Sequence, residues 1–131
     1  MNDGVWPYLL VGIGGFLGAN ARFVVARLVS GLVETGFPAG TLLINVTGSF
    51  LLGAIGTIAA QRLVPHSDVV RLALGVGFLG AYTTFSTFEF ETNALVQQGA
   101  WLAAALNVGV SVTLGFLALR AGVVLAAWWR P

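Results

Sequence analysis

Residues 69–97 read VVRLALGVGFLGAYTTFSTFEFETNALVQ, and the length of this stretch governs the fold. Its first half is apolar enough for a lipid bilayer, yet as a straight helix the 29 residues extend about 43 Å, against ~30 Å for the hydrocarbon core. The helix is therefore expected to break near its middle. The run Gly75, Gly77 and Gly80, followed by Thr83 and Thr84, marks the place: glycine interrupts helices, and hydroxyls re-satisfy backbone groups freed in lipid. Beyond it stand Ser86, Thr87, Glu89 and Glu91, a density of polar groups that demands burial or water. The GVGFLG segment (75–80) matches the spacing G-x-G-x-x-G, but no strand precedes it, so a dinucleotide site is not expected.

The rest of the chain fits the same environment. Of its 131 residues, 57% are hydrophobic and 8% charged, whereas soluble domains carry about a quarter charged residues. Turn chemistry in GLVETGFP (31–38), LVPHSD (63–68) and QQG (97–99) divides it into spans of about 6–30, 39–62, 69–97 and 100–122. Short breaks and the lack of alternating ten-residue strands exclude a barrel. The expectation is one all-α, multi-pass membrane domain over residues 1–131, with no enzymatic activity. MNDG has no basic n-region, so a cleaved signal peptide is not expected.

Cysteine is absent, which removes disulfides and thiolate metal sites, and a net charge of +1 points to no nucleic acid partner. With four spans, Arg62, Arg71 and Arg130 lie near one side and Arg27 near the other. That bias leans towards termini inside but is small, so insertion in both orientations is plausible. Trp6, Tyr8, Trp101, Trp128 and Trp129 suit interfacial anchoring, and His66 is expected to be solvated.

Polar positions recur at helical spacing. Gly14, Gly18 and Arg22 share one face of the first helix: the glycines suit a packing seam, while Arg22 either snorkels to the interface or faces a wet cavity. Thr41, Asn45 and Ser49 form a stripe on the second helix. The two hydroxyls can bond back to their own helix, but the Asn45 amide must meet another helix or water. Phe85 and Phe88 share a face of the third helix, flanked by Thr84 and Glu91. On the fourth, Asn107, Ser111 and Gly115 either line the same path or serve as interhelical glue.

GGFLGANARF (14–23), GTLLINVTGSFLLG (40–53) and GFLGAYTTFSTFEFE (77–91), in this order and spacing, resemble the Fluc (CrcB-type) fluoride channels. The resemblance implies an antiparallel, dual-topology homodimer of four-helix subunits in the bacterial inner membrane, with two pores that export fluoride passively. It also implies a structural sodium ion on the dimer axis, held by backbone carbonyls at Gly80 and Thr83. Phe85 and Phe88 match the family's pore aromatics, Asn45 its pore amide, and Asn107 and Ser111 its helix 4 polar track. Arg22 matches its basic residue in helix 1 and Glu91 its carboxylate after the second Phe. Ala81, Phe23 and Asn107 depart from the family's commonest residues, Gly, Tyr or Trp, and Tyr respectively.

The residue chemistry is compatible with fluoride. Fluoride is costly to dehydrate, so a pore must replace its water with fixed partial charges. Phe ring edges are electropositive, and hydroxyls of Thr84, Ser86 or Ser111 and the Asn45 amide can donate hydrogen bonds. Two other functions compete: a proton-coupled small multidrug exporter, for which Glu89 and Glu91 are the only carboxylates within the spans, and a non-transporting assembly subunit.

Overall fold

The computed structural model describes residues 4–33 and 36–128, and within them the chain is entirely helical and loop. Trp129 and Arg130 lie outside the described residues. Among the described residues, four helical stretches are long and apolar enough to cross a membrane: Trp6–Leu32, Ala39–Ala60, Ser67–Gln97 and Trp101–Trp128.

The boundaries follow local chemistry. Helix α1 (Trp6–Leu32) carries Pro7 in its first turn, where the missing N–H is harmless, and ends as Val33 turns extended. Helix α2 (Ala39–Ala60) starts directly after Pro38 and stops two residues before the expected position 62, because Arg62 takes a left-handed φ of 53°. Gly99, at φ +75°, separates the third span from α6 (Trp101–Trp128). The last helix runs to Trp128 instead of ending near 122, since VVLAAW (123–128) contains no residue that would stop it.

The third span is built in pieces: α3 (Ser67–Val70), a π-helical stretch over Arg71–Leu79, α4 (Gly80–Tyr82) and α5 (Phe85–Gln97). The glycines at 75, 77 and 80 stay within helical winding, and it is Thr83 (φ −76°, ψ 156°) and Thr84 (φ −150°, ψ 116°) that are extended. Thr84 then caps α5, its Oγ1 accepting from the Thr87 N–H at 3.3 Å.

Two glycine seams hold the spans together. A Cβ at Gly14 would collide with the Ala73 carbonyl oxygen, one at Gly18 with that of Phe78, and one at Gly77 would lie 2.8 Å from that of Val11. Only glycine permits so close a backbone approach. The second seam is reciprocal: Gly53 of α2 faces the Leu119 carbonyl of α6, and Gly122 of α6 faces the Phe50 carbonyl of α2. Between the seams Ile44, Leu79 and Tyr82 form a buried cluster, with Ala21, Val25 and Ile55 packed against it. Phe16, Leu28, Phe116 and Leu117 point outward, as an apolar solvent allows.

Candidate functional site: the polar junction of the third span

The two extended residues at 83 and 84 are spliced by a side chain from α2. Asn45 Oδ1 accepts from the Thr84 N–H at 2.8 Å, and Asn45 Nδ2 donates to the Thr84 carbonyl at 3.0 Å. The amide behaves as one rung of a peptide ladder, which is how a primary amide can satisfy backbone freed in lipid. A continuous helix would aim the Thr84 N–H at the Gly80 carbonyl and the Thr87 N–H at the Thr83 carbonyl. Here the first goes to Asn45 and the second to Thr84 Oγ1.

The junction is braced from behind. The Thr47 hydroxyl donates to the Leu43 carbonyl at 2.7 Å, which leaves the Tyr82 hydroxyl to donate to Thr47 Oγ1 at 3.0 Å. Tyr82 stacks on Phe78 with centroids 5.9 Å apart, and a Cβ at Gly48 would strike the Thr83 methyl. Thr83 donates its hydroxyl to the Leu79 carbonyl at 2.9 Å.

In front of it opens a cavity of about 270 Å³ whose wall includes Asn45, Ser49, Thr84, Phe85, Phe88 and Ser111. Five of the seven candidate fluoride-contacting residues, drawn from three helices, thus meet at one place. The rings of Phe85 and Phe88 sit 5.7 Å apart and tilted by 38°. Phe88 is 8% exposed and Phe85 69% in the single chain, so one ring is enclosed and the other is bare. Ser86 is exposed and off this wall, and Gly80, also exposed, leaves open space where a Cβ would be.

Asn107 lies deeper, 1% exposed, between α5 and α6. Its Nδ2 donates to Thr92 Oγ1 at 2.8 Å, Thr92 in turn donates to the Phe88 carbonyl at 2.7 Å, and Ser111 donates to Asn107 Oδ1 at 3.4 Å. This chain ties the backbone beneath Phe88 to the cavity hydroxyl of Ser111. Sequence reasoning passed over Thr92, although its spacing of four from Phe88 on one helix was the available signal.

A second cavity, about 470 Å³, lies between the end of α1, the start of α2 and α5, lined among others by Arg27, Thr41 and Glu91. Glu91 Oε2 is buried there without a hydrogen-bond partner among the described residues. Thr41 and Asn45 are one turn apart, so the polar stripe of α2 runs from this cavity to the Phe-lined one. Arg22 is half-buried, one turn beyond Gly18 on the seam face, and lines neither. Arg27 lies over the Phe23 ring at 5.7 Å.

Comparison with known proteins adds a family to this geometry. Residues 9–123 match the family described as CrcB-like protein, Camphor Resistance (CrcB). The chain is similar to the fluoride-specific ion channel FluC of Solibacter usitatus, with 46% identity over 119 residues, 91% of this chain and 97% of that one. It is likewise similar to those of Methylobacterium radiotolerans (48% identity; 93% of this chain, 85% of that one) and Methylococcus capsulatus (50%; 88% of this chain, 50% of that one).

Proposed function

The chain belongs to the CrcB-like family of multi-pass membrane proteins, and from that premise we propose that it conducts fluoride through the cavity in front of the third-span junction. The observation that carries this reading is the convergence of Asn45, Phe85, Phe88 and Ser111, from three helices, on one cavity beside an interrupted helix. An anion there meets two ring edges, the remaining N–H of Asn45 Nδ2, and the Ser111 hydroxyl, whose 3.4 Å bond to Asn107 is long enough to exchange cheaply. Thr84 serves the path through its backbone and cap, because its own hydroxyl already donates to Thr87 Oγ1 at 2.9 Å. Asn107 acts behind the wall by holding Ser111, and Ser86 faces outward, where a second subunit could meet it.

The working unit is an antiparallel, dual-topology homodimer with two pores and a junction that breaks the third span. The high exposure of Phe85 in one chain supports this, since a pore needs a second wall. Flux is passive, so a cell holding fluoride above the external level exports it. Sodium fits the junction: the Gly80 and Thr83 carbonyls have given up their helical donors, and carbonyl oxygen suits a hard cation. A cation bound there supplies positive charge that offsets the anion's desolvation. Glu91, on the wall of the second cavity, belongs to the approach to the path.

Fluoride efflux from liposomes at neutral pH tests the proposal. A fast, uncoupled leak that excludes chloride is expected. Proton-coupled uptake of cationic drugs, or no transport at all, would overturn it.

A further inference from the structure

Helix α6 carries a feature that ion conduction does not use. Arg120, Val124 and Trp128 recur at steps of four and so share one face of the helix. With Ala121 and Leu125 they line a groove of about 430 Å³ in which the guanidinium is the only charged group among the described residues. Trp128 is 84% exposed at its end.

Depth decides what this groove can hold. Helix α6 has 28 residues and is about 42 Å long, so centred on a ~30 Å core it projects about 6 Å at each end. Arg120 lies eight residues, about 12 Å, before Trp128, which puts its Cα about 6 Å beneath the hydrocarbon boundary. An arginine of that depth snorkels to the boundary, where the abundant anion is the lipid phosphate. We propose that Arg120 and the groove beside it form a binding site for an anionic phospholipid. The guanidinium grips the headgroup phosphate in its fork, an acyl chain lies along Ala121, Val124 and Leu125, and the Trp128 indole sits at the headgroup level. This site is independent of the fluoride path, and its success or failure leaves that reading untouched.

Native mass spectrometry of the detergent-purified full chain, titrated with phosphatidylglycerol and separately with phosphatidylcholine, tests the proposal. The parent should retain phosphatidylglycerol in preference. Arg120→Gln should weaken phosphatidylglycerol binding about fivefold, equivalent to ~1 kcal/mol, and leave phosphatidylcholine unchanged. Ala121→Leu keeps the charge but occupies the chain seat, so it should weaken both lipids, and it serves as the readout should the charge variant fail to fold. Equal binding of both lipids by the parent, or phosphatidylglycerol binding unaltered in either variant, would overturn the site.

Discussion

Asn45 pairs with Thr84 through both ends of its amide, at 2.8 and 3.0 Å, and so takes the place of a strand of backbone beside the two extended residues of the third span. The pairing explains how Thr83 and Thr84 can leave the helix inside an apolar layer. It also makes Asn45 harder to replace than Thr41 or Ser49, whose hydroxyls can bond within α2.

Asn45→Leu should leave the Thr84 N–H and carbonyl both unpaired, at about 1–3 kcal/mol each, and lower the thermal stability of the detergent-solubilised protein accordingly. Asn45→Asp should abolish fluoride flux at neutral pH by setting a carboxylate beside the anion path and against the Thr84 carbonyl. Its protonated carboxyl can donate where the ionised one cannot, so the melting temperature of N45D should rise relative to the parent as pH falls. Parental flux through N45D at neutral pH would remove Asn45 from the path.

The two aromatic rings separate packing from conduction. Phe88→Ile and Phe85→Ile preserve apolar character, and the exchange at exposed Phe85 should cost under ~1.5 kcal/mol of stability. The enclosed Phe88 should cost more. Both should lose most of their fluoride flux, because an aliphatic chain has no electropositive edge. Liposome efflux at the parental rate from two folded variants would show that the rings only fill space.

The glycine seams give a contrast within a single residue type. Gly18→Ala drives a methyl into the Phe78 backbone and should destabilise by about 2 kcal/mol, whereas the same change at Gly75 meets open space and should be near neutral. Thermal melts of the two variants check this, and equal melting temperatures would mean the seam yields.

Sodium dependence probes the junction carbonyls. After prolonged exchange into buffer free of sodium and lithium, fluoride flux should fall and then recover when sodium returns. Unchanged flux would mean that the Gly80 and Thr83 carbonyls find partners within the protein.

Dual topology is checked by cysteine tags at the two termini, which the parent's lack of cysteine makes clean. Labelling from one side of intact cells should modify part of the population at each end. Modification of the whole population from one side would contradict the antiparallel dimer.

The amino-acid sequence by itself determined the all-helical, four-span architecture, because hydrophobic length, turn residues and the need to satisfy backbone in lipid are properties of short segments. It also singled out Asn45, Phe85 and Phe88, since polar and aromatic residues at helical spacing stand out against an apolar rod. Tertiary structure alone decided where they meet. The glycines at 75, 77 and 80 remained helical, and of the three only Gly77 sits at a close backbone approach to α1, while the chain unwound at Thr83 and Thr84 where an amide on another helix, 39 residues away, offered Thr84 equivalent bonds. Periodicity cannot reveal a partner of that separation. The same holds for Asn107: its spacing left lining the path and interhelical glue both open, and its burial at 1% exposure and its bond to Thr92 depend on how α5 meets α6, which neither helix encodes alone.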